Sequence, residues 1–333
     1  MTIAAEAPTA PRPLRFLSLE ITGRCQLTCP SLCYAASGPA RDHGGMTEDD
    51  WLRTIDQAVT LGTEEIQLIG GEPTLHPGFV PIARHAVDVG LRVRVYSNFF
   101  RVREEHWRLF EHPGVRLATT YHSSVPAEHD EVTGREGSHE ATRANIVEAV
   151  RRGIPLNVAV LDGGDRDGGD HDGGGGDGGG GDGDRDRERV ERARAELLSL
   201  GVRDVHVGKV RAVGNAARTA ARTALPSTSA LCGRCGDQRA TVLPSGDVAV
   251  CEIGRFLTAG SVLDTSLNAV LSSARWAEAS ASVPRKTDPT ACAPDCQPAD
   301  SDSCDPGKSE PCNPMGYAPA ATGSPATDAP TLP

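Results

Sequence analysis

The sequence predicts an α/β protein built on parallel strands, and three observations point there. Strand-length apolar runs alternate with helix-length amphipathic segments six times between residues 14 and 210, the connections are short, and two of the helices stop at a glycine just before the next apolar run, Gly153 and Gly201. Residues 14–22 (LRFLSLEIT) read as the first strand. Residues 46–61 read as a helix started by Thr47, with Asp49 and Asp50 in its first turn, where acidic groups favour the dipole. A short buried strand follows at 65–69, then a helix at 77–89, a strand at 91–97 (LRVRVYS), a helix at 104–111 and a strand at 115–121. The helix at 138–152, the strand at 154–161, the helix at 187–200 and the strand at 202–210 complete the series. Parallel strands joined by right-handed crossovers make either a barrel, complete or not, or an open doubly wound sheet. Both architectures gather functional loops at the strand C-termini.

The chain has 333 residues, 38% hydrophobic and 4% aromatic, with a formal net charge of −11. That length suits one large domain with an appendage. Residues 163–186 hold thirteen Gly and eight Asp against two Arg and no apolar side chain, so much of the charge sits in a segment that can bury nothing and reads as a flexible insertion. A calcium-binding nonapeptide repeat would need a recurring aliphatic residue that this segment lacks. The rest is mildly acidic and offers no basic face, which argues against nucleic acid as a partner. No apolar run approaches the roughly 20 residues that span a bilayer, so no membrane role is expected. Residues 1–13 are rich in Ala and Pro without a signal-peptide pattern, which predicts a disordered start and a cytoplasmic protein. The tail at 317–333 also reads as disordered.

Ten cysteines in a chain without a secretory signal suggest metal, and they fall in two groups. Cys25, Cys29 and Cys33 follow the first strand, and Cys232, Cys235, Cys251, Cys292, Cys296, Cys304 and Cys312 lie near the end. Thiolates select zinc or iron-sulfur clusters. Three on one loop leave a four-iron cluster with one open iron, whereas a structural zinc would recruit a fourth ligand, for which His43 is the near candidate.

The stretch Cys25-Gln-Leu-Thr-Cys29-Pro-Ser-Leu-Cys33-Tyr34 resembles the fingerprint loop of the radical S-adenosylmethionine (SAM) superfamily, and Gly70-Gly71-Glu72-Pro73 is similar to its Gly-Gly-Glu-Pro motif. The resemblance spans about residues 14–215 and implies a partial (β/α)6 TIM-type barrel. By that resemblance Cys25, Cys29 and Cys33 hold a 4Fe-4S cluster, and Gly70, Gly71, Glu72 and Pro73 receive the methionine end of SAM. Ser97, Asn98 and Thr120 meet its ribose, Leu32 its adenine, and Arg211 its carboxylate. His129-Asp130, Gly134, Gly137-Ser138 and Asn145 look like the segment after the fourth strand in peptide-modifying members. The family spacing is Cys-x3-Cys-x2-Cys, whereas this chain has Cys-x3-Cys-x3-Cys, one residue longer. His76, beside Pro77, reads as a helix-entry residue, and Tyr121 and His122, at a strand C-terminus, are candidates to face the pocket.

Residues 241–250 read as a hairpin with a Ser-Gly-Asp turn that would return Cys251 beside Cys235. Cys235-x10-Gly246-x4-Cys251 is similar to the SPASM extension, which holds auxiliary iron-sulfur clusters, although the four later cysteines depart from its usual spacing. The resemblance therefore implies a small Cys-rich C-terminal iron-sulfur domain at 216–316 with one or two auxiliary clusters. A zinc knuckle at Cys232 and Cys235 is the alternative.

Taken together, the resemblance implies a radical SAM oxidoreductase. It would cleave SAM to a 5'-deoxyadenosyl radical, abstract a substrate hydrogen, and oxidatively modify or crosslink a ribosomally synthesised precursor peptide. It implies an external electron donor of flavodoxin or ferredoxin type. With some thirteen residues ahead of the first strand, leader binding would fall to a separate partner, or the contact would be leaderless. Oxidation of a small-molecule secondary metabolite is the rival within the enzyme class, and a catalytically silent iron-sulfur or zinc peptide-binding module is the rival outside it. No catalytic acid, base or hydrogen-atom donor stands out among the residues.

Overall fold

The computed structural model describes residues 13–163, 180–220 and 227–285. In chain order the regular elements run β1 (Phe16–Thr22), α1 (Glu48–Thr60), β2 (Glu65–Gly70), α2 (Phe79–Asp88), β3 (Arg92–Tyr96), α3 (Glu104–Phe110) and β4 (Val115–Thr120). They continue with α4 (Pro126–Thr133), α5 (Ser138–Arg151), β5 (Leu156–Asp162), α6 (Gly180–Ser199), β6 (Asp204–Lys209) and α7 (Asn215–Ala220). The last are β7 (Arg239–Val242), β8 (Asp247–Ala249), β9 (Thr258–Ser261), α8 (Leu267–Leu271) and α9 (Ala274–Ala281).

All of the described strands form one sheet in the order β6-β5-β4-β3-β2-β1-β7-β8-β9. Its first six strands are parallel and neighbour one another in sequence order. A doubly wound sheet would reverse direction partway, and this one does not. Crossovers that advance one way place their helices on one face, which is the geometry of an open partial barrel. β7 pairs in parallel with β1 over Phe16–Leu19 register positions, and the antiparallel β8 and β9 follow it. The C-terminal hairpin is thus an extension of the barrel sheet.

Alternation along β1 sorts the two faces. Leu17, Leu19 and Ile21 join the main core, where the stripe Trp51, Ile55 and Ala58 of α1 is also buried. Thr47 caps α1 by accepting from Asp50 N, and Asp50 reciprocates, a capping box that fixes the helix start. Phe16, Ser18 and Glu20 face the other way and are buried too. The register Ser18↔Gln67↔Arg94↔Arg116 carries this polar row across four strands. Its charges are matched within the barrel: Arg94 Nη2 lies 2.9 Å from Glu65 Oε1, Arg116 also meets Glu65, and Gln67 Nε2 donates to Glu252 Oε1 at 3.0 Å. Such groups are tolerated inside because each charge has a partner.

Two elements differ from expectation. Helix α6 starts at Gly180, so the end of the Gly/Asp-rich segment is helical, and Asp186 ion-pairs Arg189 while accepting from Gly163 N. Helix α4, absent from the sequence reading, lies between Pro126 and the left-handed Gly134. The expected disordered ends, 1–13 and 317–333, lie outside the described residues except for Pro13.

Candidate active site at the strand C-termini

The loop after β1 presents the three cysteines. Cys25 is buried, and its Sγ accepts from Leu27 N at 3.4 Å and from Asn98 Nδ2 at 3.5 Å. Leu32 N and Cys33 N both donate to Cys29 O at 3.2 Å, so the longer spacing is absorbed as one helical turn. Residues four apart on such a turn share a face, as residues three apart do, which is why the extra residue leaves both thiols on one side. The cost is local: Cys29 takes a φ of 37°, a region that disfavours side chains. The turn is held from outside. Thr28 N and Cys29 N donate to Thr133 O at 3.0 Å, Asn215 N donates to Cys33 O at 2.8 Å, and Asn215 Nδ2 donates to Cys29 O at 3.2 Å.

Burial pushes the Cys25 thiol up to about 12, with the Glu72 carboxylate adding to the effect. Burial, then the neighbouring Cys33 and Cys25, also holds the Cys29 proton well above the usual thiol range. Cation binding would release these protons. Among the described residues no group of three or more His, Cys, Asp or Glu is set to hold a single metal ion. A mononuclear thiolate site needs every sulfur about 2.3 Å from one point, whereas a cluster is bound through sulfurs on different irons and needs them apart. Three soft thiol donors lining one cavity are a set that suits an iron-sulfur cluster.

The Gly-Gly pair makes room for neighbouring backbone. A Cβ on Gly70, at φ 145°, would collide with Thr22 O, and one on Gly71 with Arg24 O. The glycines therefore admit the cysteine loop itself, and Gly71 N and Glu72 N donate to Thr22 O and Arg24 O at 2.7 and 2.8 Å. Glu72 is buried, and its donors among the described residues are neutral. Oε1 accepts from Thr74 N, Thr74 Oγ1 and Ser97 Oγ at 3.2, 2.6 and 2.9 Å, and Oε2 accepts from Asn98 N at 2.8 Å. Burial raises its pKa against those bonds.

These elements enclose a cavity of about 1090 Å³, counting its open mouth. Cys25, Cys29, Cys33 and Leu32 line it from the loop, Gly70 and Gly71 from β2, Ser97 and Asn98 from the exit of β3, and Thr120 and Arg211 from the far side. Glu72 and Pro73 lie behind the lining. Thr120 Oγ1 is 2.7 Å from the Tyr96 hydroxyl. His122 faces the cavity, whereas Tyr121 points into the core, its hydroxyl 2.8 Å from His139 Nε2 and donating to Glu196 Oε2 at 2.7 Å. His76 is structural, accepting from Gly78 N at 3.0 Å. His129 of α4 joins His122 in the wall, and burial keeps both neutral, holding His129 down to about 4 and His122 well below the usual range. Thr142 and Ile253 also line the cavity without a sequence signal, except that Ile253 follows Cys251 by two.

The β7–β8 hairpin brings Cys251 Sγ to 3.1 Å from Cys235 Sγ, and the Cys232 thiol also hydrogen-bonds with Cys235, all three being free thiols. Those two sulfur contacts and then burial hold the Cys235 proton far above the usual thiol range. Cys292, Cys296, Cys304 and Cys312 lie outside the described residues. Arg255 ties this region to the first loop, donating to Ala35 O and to Glu20 Oε2, each at 2.8 Å.

Burial, opposed by Arg255 and aided by Glu252, pushes the Glu20 carboxyl from 4.5 up to about 7. Because the folded value is the higher one, this group's stabilisation is complete below the unfolded value and is lost as pH rises through the folded one. Wild type is expected to lose roughly 3 kcal/mol relative to Glu20→Gln between pH 4 and pH 8. Urea denaturation of both proteins at the two pH values measures this, and a pH-independent difference contradicts it.

Residues 19–168 match the Radical SAM superfamily. The chain is 31% identical over 159 residues to the PqqA peptide cyclase of Ruegeria pomeroyi, covering 46% of this chain and 41% of that protein. It is 29% identical over 143 residues to the sporulation killing factor maturation protein SkfB of Bacillus subtilis, covering 43% and 34%. The chain thus matches less than half the length of these relatives. In three dimensions it is similar to Streptococcus suis SuiB bound to precursor peptide SuiA, with a TM-score of 0.60, 12% identity, and coverage of 79% of this chain and 65% of that one. It is also similar to anSMEcpe with bound AdoMet and Cp18Cys peptide, with a TM-score of 0.56, 11% identity, and coverage of 80% and 82%. At such identities the likeness is one of fold. The cysteine loop, the Gly-Gly edge and the strands β2 to β5 that border the cavity all fall within the stretch, residues 19–168, that is similar to the Radical SAM superfamily.

Proposed function

We propose that the protein is a radical SAM enzyme that abstracts hydrogen from a ribosomally made peptide and modifies it oxidatively. The observation that carries the reading is the meeting of Cys25, Cys29 and Cys33 with Gly70, Ser97 and Asn98 around one cavity at the strand C-termini. In this reading the three thiols hold a 4Fe-4S cluster and the cavity takes SAM. One-electron cleavage of SAM at such a cluster supplies a 5'-deoxyadenosyl radical.

The chain's own residues do the rest. Arg211 offers a cation for the SAM carboxylate, Ser97 and Thr120 offer hydroxyls for its ribose, and the Leu32 backbone serves the adenine. Gly70 and Gly71 frame the methionine end, with Glu72 and Pro73 fixing that strand end from behind. His122 and His129, kept neutral by burial, put no positive charge against a sulfonium. Leu27, Leu32, Ile69, Leu161, Val210 and Ile253 make much of the wall apolar, which excludes water from a reactive radical.

Two further parts belong to the proposal. Cys232, Cys235 and Cys251, with Cys292, Cys296, Cys304 and Cys312, would ligate SPASM-type auxiliary iron-sulfur clusters, able to take the electron left on an oxidised substrate. The reducing electron would come from a flavodoxin- or ferredoxin-type donor. A peptide substrate is supported by the relatives, one named a peptide cyclase, another a maturation protein. Anaerobic reconstitution tests the reading: wild type is expected to form 5'-deoxyadenosine with SAM and reductant. The Cys25→Ala, Cys29→Ala, Cys33→Ala triple variant is expected to form none while retaining part of its iron. Equal product from both sinks the assignment.

A further inference from the structure

Asn98 has every polar atom engaged. Its backbone N–H donates to Glu72 Oε2 at 2.8 Å, and its carbonyl accepts from Thr142 Oγ1 at 2.9 Å. Side-chain Oδ1 accepts from Gln26 Nε2 at 3.0 Å and from Phe100 N at 2.9 Å. A backbone N–H can only donate, so Oδ1 must be the atom facing Phe100, and the amide cannot be flipped. That leaves Nδ2 aimed at Cys25 Sγ, 3.5 Å away. The residue therefore bridges a buried carboxylate and a buried sulfur, with one N–H on each.

We propose that Asn98 is a positioning and tuning residue that raises the reduction potential of the cluster on Cys25, by donating a hydrogen bond from Nδ2 to the Cys25 sulfur. This rests on the reading of Cys25, Cys29 and Cys33 as cluster ligands. One-electron reduction adds negative charge to a cluster, and an N–H aimed at a ligand sulfur stabilises the more negative state. The need is local: Glu72 lies close enough to disfavour negative charge on Cys25, and the sulfur's other donor, Leu27 N, is backbone. Asn98 is the side chain through which the sequence can adjust the couple. The amide has a second N–H, which leaves its place in the cavity lining open to SAM.

The test is a redox titration of reconstituted protein with dithionite as electron source, read by the EPR signal of the reduced cluster in the absence of SAM. The C-terminal cysteines Cys232, Cys235, Cys251, Cys292, Cys296, Cys304 and Cys312 are all changed to Ala throughout, so that the loop cluster is the one observed. Asn98→Ser keeps a hydroxyl for Phe100 N, as Ser97 Oγ does for Phe99 N at 3.1 Å, but is too short to reach the sulfur. At the potential where the parent is half reduced, the variant's reduced-to-oxidised ratio is expected to fall roughly fivefold, with iron content unchanged. An unchanged midpoint with unchanged iron overturns the tuning role and leaves the cluster reading standing. A parent that binds no iron overturns the cluster reading itself. Should Asn98→Ser lose its iron, Asn98→Ala and Gln26→Leu are titrated. Iron loss in Asn98→Ala as well, or a Gln26→Leu midpoint equal to the parent's, marks Asn98 as a structural prop.

Discussion

Deleting Ser31 is expected to cut 5'-deoxyadenosine formation to about one hundredth of wild type or less. The deletion restores the family's Cys-x3-Cys-x2-Cys spacing, so by sequence alone it looks like a repair. The structure argues the reverse. Cys33 N closes a helical turn onto Cys29 O, and that turn is clamped by Asn215 at the Cys33 and Cys29 carbonyls. Removing one residue shifts Cys33 relative to the clamp, and displacements of about 1 Å at a reacting centre can cost 100-fold. Product per iron, measured after reconstitution of both proteins, checks this. A deletion protein that outperforms wild type would mean the natural loop is the impaired form, and the silent binding-module reading would take over.

Gly214→Ala is expected to have the next largest effect. Gly214 sits at φ 63°, and a Cβ there would run into the backbone carbonyls of Tyr34 and Cys33. Backbone on a clamped loop cannot rotate away as a flexible side chain can. Left-handed conformation adds roughly 1 kcal/mol for a non-glycine residue, and the collision brings the expected loss of stability to about 2–4 kcal/mol. Because the collision falls on the third cysteine, the loop cluster should be lost before the fold. Iron counting beside circular dichroism separates the two. Wild-type iron and stability in the variant would show that the contact between the β6 exit and the cysteine loop is not maintained.

Much of this architecture is legible in the sequence, for a definite reason. Strands buried on both faces read as apolar runs, and left-handed glycines at 62, 90, 153 and 201 punctuate the passage from helix to strand. Pairings between neighbouring strands follow from that order. The pairing of β7 with β1 joins residues more than two hundred positions apart, and nothing local encodes it. Helix α4 is equally silent, since its sequence PAEHDEVT has no apolar stripe, only a proline at its start and a glycine at its end. The start of α6 lies in glycine-rich chain with poor helix propensity, and Arg189, donating to Leu161 O and His122 O, ties the helix back to the barrel.

At the site, identity was easier to read than role. Cys25, Cys29, Cys33, Gly70, Gly71, Ser97, Asn98, Thr120, Leu32 and Arg211 are gathered at one cavity. A carboxylate after Gly-Gly marks Glu72 as unusual, but sequence cannot say that its oxygens are occupied by Thr74, Ser97 and Asn98. Likewise, two glycines look the same whether they make room for a ligand or for the cysteine loop. Tyr121 and His122 are adjacent at the end of β4, and strand alternation sends one to the core and the other to the cavity.

The central claim is that the loop after β1 holds a cluster to which SAM binds directly. The most direct measurement is the EPR spectrum of the reduced, reconstituted protein with and without SAM, recorded for wild type and for the Cys25→Ala, Cys29→Ala, Cys33→Ala variant. The account predicts a wild-type signal whose shape changes when SAM is added, and a variant with no SAM-responsive signal. A SAM-dependent change that survives in the variant, or a wild-type signal indifferent to SAM, would contradict it.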